Sequence, residues 1–95
     1  MRIEWDQAKN EINQTKHGID FETAQLVFED PCCVTFVERV TDGEERWHAI
    51  GSIERIIVLV VVHTYREELS DEIVRIISAR PATRRERRLY AQAIG

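Results

Sequence analysis

The chain has 95 residues, 43% of them hydrophobic and 32% charged, with four Gly and two Pro. That suffices for a single domain over residues 1–95, leaves no room for a second, and excludes a low-complexity chain. Thirteen Lys and Arg stand against seventeen Asp and Glu, a formal net charge of −4 that at face value argues against a nucleic-acid partner.

Arg2 to Trp5 alternates polar and apolar residues and predicts a short first strand, with Trp5 in the core. Asp6 can cap a following helix whose inner face would carry Ala8 and Ile12, with Lys16 and His17 in its last turn and Gly18 as its stop. Asp20 is a second cap, Phe21, Ala24 and Phe28 keep helical spacing, and Pro31 closes that helix. The two helices are separated by about two residues, which makes a helical hairpin or corner.

The texture then changes. Cys33 to Arg39 favours strand, Asp42-Gly43 signals a hairpin, and Arg46 to Gly51 is the next strand, with a turn near Ser52–Arg55. Ile56 to His63 is almost wholly apolar and β-branched, as expected of a central strand covered on both faces. The acidic segment Arg66 to Glu72 leads to a strand over Ile73 to Ala79, which Pro81 breaks. Thr83-x-x-Glu86 is a capping box that opens a last helix. Leu89, Tyr90, Ala93 and Ile94 give that helix an apolar stripe, and Arg84, Arg85, Arg87 and Arg88 occupy the rest of its surface. The order β-α-α-β-β-β-β-α predicts an α+β fold: a small antiparallel sheet with two N-terminal helices packed on it and a C-terminal helix.

The charge is polarised along this order. Residues 1–74 hold 7 basic and 16 acidic side chains, net −9, and residues 75–95 hold 6 Arg and one Glu, net +5. Cys32 and Cys33 are adjacent and without another cysteine to pair with, so they read as small packing residues of a reduced, cytoplasmic protein. The N-terminus lacks the apolar stretch of a signal peptide, and the seven-residue run Ile56 to Val62 is too short to cross a bilayer.

No Gly-rich phosphate loop, H-x-x-x-H pair or C-x-x-C motif is present. What remains is an Arg-rich set with a few His, Glu and Tyr, which suits RNA cleavage without a metal or cofactor. There the 2′-hydroxyl is the nucleophile, a base and an acid move protons, and cations surround the phosphorane-like transition state. His63 and Arg80 sit at the ends of neighbouring predicted strands, where a substrate could reach them. The alternative is a non-catalytic interaction module, a co-repressor that binds a partner chain through its Arg-rich last helix.

Several segments run in the order of one family: E-W-D-x-x-K-x-x-x-N from Glu4 to Asn13, Lys16-His17-Gly18-Ile19, Phe28-x-Asp30-Pro31, Glu44-Glu45-Arg46, Val60-Val61-Val62-His63-Thr64, and Ile76-Ile77-Ser78-Ala79-Arg80 followed by Ala82-Thr83-x-x-Glu86-Arg87-x-x-Tyr90. Over nearly its whole length the chain resembles the BrnT family of type II toxin–antitoxin toxins. The resemblance implies a RelE-like ribonuclease fold, an RNA-cleaving activity that arrests growth, and a BrnA-like antitoxin that silences it. It also implies contact with operator DNA only through that antitoxin. Carried onto matching positions, it implies a site drawn from Lys16, His17, Glu45, Arg46, His63, Arg80 and Tyr90. His63 or Glu45 would be base or acid, Arg46 and Arg80 would hold the scissile phosphate, and Tyr90 would orient or stack. Arg84, Arg85, Arg87 and Arg88 would hold flanking RNA backbone. After His63, where family members often have Thr-Glu-Arg, this chain has Thr64-Tyr65-Arg66 followed by the acidic Glu67-Glu68 and Asp71-Glu72, which removes a carboxylate at position 65 and leaves Arg66 as an RNA-binding candidate.

Overall fold

The computed structural model describes residues 1–94; Gly95 lies outside the described residues. Five strands form one sheet in the order β1-β5-β4-β3-β2: β1 (Arg2–Trp5), β2 (Val34–Thr41), β3 (Glu44–Ile53), β4 (Ile57–Glu68) and β5 (Asp71–Pro81). Strands β2 to β5 make the expected antiparallel meander. Strand β1 joins the far edge parallel to β5, with Arg2 opposite Ile73 and Trp5 opposite Ile76, so the sheet is mixed.

Helix α1 (Gln7–His17) begins and ends as its sequence dictates. The Asp6 carboxylate accepts from the N–H groups of Ala8 and Lys9, and Gly18, in the left-handed region at φ 70°, donates to Gln14 O. Its inner face differs from the expected one. Ala8 is exposed and Ile12 is 65% exposed, while Asn10 and Asn13 are buried. Asn13 explains the exchange: its amide donates to Ile19 O and Ala79 O, both at 2.9 Å, and accepts from Ala79 N at 3.1 Å. Beyond the end of short β1, the edge of β5 keeps unpaired backbone groups, and one asparagine satisfies them more completely than any apolar residue could. Asn10 does the same for Phe21 N at 2.8 Å, seating the next helix.

That next helix is shorter than its spacing predicts. α2 covers Phe21–Ala24 and tightens into a 3₁₀ segment over Gln25–Glu29 before Pro31. Phe21, Ala24 and Val27 enter one core with Ala49, Ile53, Leu59, Val61, Ile76 and Ala79 on the helix-covered face of the sheet. Gly51 lets the 3₁₀ segment lie this close. A Cβ there would meet Val27 Cγ1 at 2.8 Å and Val27 O at 3.1 Å. Gly51→Ala is therefore expected to destabilise the fold by about 1–3 kcal/mol, read as a fall in the urea midpoint; an unchanged or higher midpoint would show that the 3₁₀ segment yields freely.

Two hairpins run further than the sequence suggests. Glu54-Arg55 and Leu69-Ser70 turn with positive φ (54°, 62°, 53° and 66°) without any glycine. The segment read as an acidic link is thus the paired end of β4 and β5, with Glu67 opposite Glu72 and Glu68 opposite Asp71. The other sheet face carries a smaller core of Ile50, Val60, Ala82 and Tyr90, with Cys32, Phe36 and Val58 against it. Helix α3 (Arg84–Ile94) packs there, but of its apolar stripe only Tyr90 is buried. One end of this second face is therefore covered by α3 and the other end is open.

Candidate active site

Strand parity decides which side chains reach the open end. Adjacent residues of a strand point to opposite faces, so Arg46, His48 and Ile50 share the α3 side while Glu45, Trp47 and Ala49 share the other. Pairing aligns the rest. Ile50, Val60 and Arg80 form one row across β3, β4 and β5, and His48, Val62 and Ser78 form the next. Arg46 lies one step beyond, opposite Arg39 of β2. Arg80, His48 and Arg46 therefore follow one another diagonally over the uncovered face, Arg80 and His48 being about 12 Å apart at the backbone.

Each of these side chains is held in a distinct way. Arg80 forms an end-on pair with Glu86: Nη1 donates to Oε1 at 2.7 Å and Nη2 to Oε2 at 2.8 Å. Glu86 is itself fixed by the capping box, accepting from Thr83 N at 2.9 Å while its own N–H donates to Thr83 Oγ1 at 3.2 Å. Hydrogen bonding from Arg80 outweighs burial and, with the Thr83 bonds, draws the Glu86 pKa down to about 2. Arg46 pairs loosely with Glu44 at 3.5 Å, and its buried Nε has no hydrogen-bond partner. His48 packs against Phe36, ring centroids 5.6 Å apart. Burial lowers the His48 pKa, Glu38 and Glu86 oppose that, and Arg80 and Arg39 add to it. His48 is thus an imidazole kept neutral at physiological pH, on an accessible face, within electrical reach of Arg80. His48 is not among the site residues that the sequence motifs mark. Its signal was the period-2 alternation that ties it to Arg46.

The other expected site residues lie elsewhere. His63 faces the helix-covered side and is 0% exposed, its ring edge-on to Phe28 and to Tyr65 at 4.9 Å each. Its Nδ1 donates to Val61 O at 3.1 Å, and burial lowers its pKa to about 4. His63 is opposite Trp47 in the register and shares that residue's face, so it does not meet Arg80. Glu45 is exposed on the same side as Trp47, beside Gly43 and Tyr65, and so points away from Arg46. Lys16 and His17 end α1, exposed and half-buried respectively, with no hydrogen bond or ion pair to Arg80 or Arg46.

Tyr90 is a tether rather than an open group. Its hydroxyl donates to Asp30 Oδ2 at 2.6 Å and lies 2.9 Å from Ser52 Oγ. Burial and the Asp30 bond both raise its pKa. Burial works against the Asp30 charge, yet Ser52 N–H, Tyr90 and Cys32 N–H hold its pKa below the ordinary carboxylate value. A cleft of about 610 Å³ opens beside this tether between Leu26, Pro31, Ile53 and Ile94. Asp30, Ser52 and Tyr90 are engaged with one another there, and Glu29, Glu54 and Arg55 also line the cleft, on the other side of α3 from the open end of the sheet face that carries Arg46 and His48. Arg66 is engaged by Glu4 at 2.7 Å and by Glu68 at 3.4 Å, and it sits six residues along β4 from the Arg80 row, about 20 Å away. Arg84, Arg85, Arg87 and Arg88 are exposed along α3, with Arg87 also donating to Ala82 O at 3.2 Å. Cys33 is half-buried, and burial followed by the nearby Asp30 charge raises its thiol to about 11, in keeping with a packing role.

Among the described residues no three His, Cys, Asp or Glu side chains gather as metal ligands would, and no helix is long and apolar enough to cross a membrane. A family described as the ribonuclease toxin BrnT of type II toxin–antitoxin systems matches residues 5–86. The chain is also similar to the crystal structure of the Brucella abortus ribonuclease toxin BrnT, with 33% identity and a TM-score of 0.65 over 88% of this chain and 99% of that one. None of the curated proteins matches the chain.

Proposed function

The chain belongs to the BrnT family of ribonuclease toxins of type II toxin–antitoxin systems, and from that premise we propose that the open end of its α3-bearing face is a metal-independent endoribonuclease site. The observation that supports this most is the alignment of Arg80, His48 and Arg46 on one uncovered sheet face. Arg80 holds the scissile phosphate and Arg46 the next phosphate along. His48, neutral because it is partly buried, takes the proton of the 2′-hydroxyl. The 2′-oxygen then attacks phosphorus, the bond to the 5′-oxygen breaks, and solvent on this open face supplies the proton that the departing oxygen needs. The products are a 2′,3′-cyclic phosphate and a 5′-hydroxyl.

The four Arg residues of α3 extend a basic track beside the site, so flanking backbone is held locally although the whole chain is acidic. In the cytoplasm this activity arrests growth until a BrnA-like antitoxin binds, and operator DNA is reached only through that antitoxin.

The decisive measurement is RNA cleavage by purified protein in excess EDTA, with the ends identified. Cyclic phosphate and 5′-hydroxyl ends are expected. Loss of cleavage on chelation by a protein that stays folded, or 3′-hydroxyl ends, would refute the mechanism. Intact RNA and unimpaired growth on expression without an antitoxin would favour the interaction-module reading instead.

A further inference from the structure

We propose that Glu86 is a positioning residue for this reaction: it holds the end of the Arg80 guanidinium so that the remaining Nε–Nη2 fork is presented to the phosphate. The inference rests on the site reading above. It concerns a residue that neither the sequence motifs nor that reading assigns to the chemistry.

A guanidinium has five N–H donors. In Arg80 one from each terminal nitrogen goes to Glu86, at 2.7 and 2.8 Å, and Nη1 also reaches Pro81 O at 3.4 Å. Nε–H and the second Nη2–H have no acceptor among the described residues. Together they form the side-on fork, which matches two oxygens of one phosphate as well as the end-on fork does. Glu86 therefore leaves Arg80 able to bind an anion in two-point fashion, in one orientation only.

The hold is stiff because the carboxylate cannot swing away. Thr83 N donates to its Oε1 at 2.9 Å, and the first turn of α3 carries its backbone. Glu86 side-chain exposure is 14% against 31% for Arg80, so the carboxylate sits behind and the cation in front. Glu86 is also the only acidic residue among residues 75–95. Placing a negative charge there weakens the attraction for RNA, and fixed geometry at Arg80 is the compensating gain.

The test is single-turnover cleavage of a defined RNA oligonucleotide by the full chain and five variants. Glu86→Gln retains a side chain that completes the capping box. It is expected to lower kcat about tenfold to a hundredfold, with KM changed by less than about threefold. Glu86→Asp, which keeps the charge on a shorter arm, recovers part of that loss and serves as the second variant if Glu86→Gln folds poorly. Thr83→Ala weakens the helix cap but leaves the carboxylate, so it lowers the urea midpoint and keeps the parental kcat. Arg80→Ala loses most activity, and adding Glu86→Gln to it lowers kcat no further. A parental kcat for Glu86→Gln beside an inactive Arg80→Ala overturns the role of Glu86 alone. A faster Glu86→Gln shows that the carboxylate competes with RNA, and equal kcat losses in Glu86→Gln and Thr83→Ala show a cap and nothing more; either overturns the inference. Parental cleavage by Arg80→Ala instead removes the site reading beneath it.

Discussion

Arg80→Ala is expected to reduce the single-turnover rate of RNA cleavage by about 10²–10³-fold, a loss of roughly 2.7–4 kcal/mol of transition-state stabilisation. The magnitude follows from the step at which charge accumulates. When the 2′-oxygen attacks, the non-bridging oxygens of the phosphorane-like state carry more charge than they do in the ground state. A fixed cation there lowers the barrier more than it lowers the binding free energy of substrate. The fold should survive the change. The Arg80–Glu86 pair is partly exposed, so its loss costs about 0–1 kcal/mol, and Glu86 keeps its bond from Thr83 N–H. Arg80→Lys retains charge without a planar fork and is expected to fall in between, about tenfold slower than the parent. His48→Gln, which keeps a polar group of similar reach but cannot take a proton, should lose activity and flatten the acidic limb of the pH–rate profile. An Arg80→Ala protein that cuts within about threefold of the parent would mean that the phosphate is held elsewhere.

Features legible in the sequence were those written in a few adjacent residues. Asp6 and Asp20 cap helices, Gly18 ends one, and Thr83 with Glu86 opens another, each through bonds spanning no more than four residues. Asp42-Gly43 makes its hairpin because both residues take positive φ, 51° and 78°. The turns at Glu54-Arg55 and Leu69-Ser70 adopt the same hand without glycine or asparagine, held by long antiparallel strands on either side. The first falls where the sequence predicts a turn, near Ser52–Arg55, but local chemistry does not announce the second. Helix α1 was misleading for a related reason: its buried side is set by the unpaired edge of β5, 66 residues away in sequence, so Asn13 displaces Ile12.

The site divides along the same line. Arg46 and Arg80 were visible as residues, and Arg46 and His48 share a face by simple alternation. The row that unites His48 with β5 depends on a bulge between Val62 and His63 in the β4–β5 register, which no sequence pattern marks. The parity of β3 and β4 likewise sends His63 and Glu45 to the opposite side from Arg46 and Arg80. The charge split was the more durable signal. Five of its six basic residues are the four exposed Arg of α3 and Arg80, Arg75 being paired with Glu4 further along β5, and much of its acidic part lies on the hairpins.

His63 carries the second large expectation, one of stability rather than catalysis. Its Nδ1–H is committed to Val61 O, its Nε2 is buried without a partner, and Phe28 and Tyr65 close over the ring. Protonation would place a cation in that core, so the folded-state pKa falls to about 4 from an ordinary 6.5. Between those values the unfolded chain binds a proton that the native chain does not. Stability is therefore complete above pH 6.5 and drains away as pH falls toward 4, by about 3 kcal/mol at most. His48, also depressed by burial, pulls in the same direction. The carboxylates held low, Glu86 at about 2 with Asp30 and Glu4 also below their ordinary values, lose their contribution only in more acidic solution, so the two ranges separate. Urea midpoints at pH 7, 6 and 5 should decline for the parent, and much less for His63→Leu, which fills the site without a titrating group. The same variant should cleave RNA at the parental rate, because its ring is sealed under Phe28 on the far side of the sheet from Arg80. A parent midpoint that is flat over this range would show that the core admits the charged ring. A His63→Leu protein that folds but no longer cuts would return His63 to the chemistry.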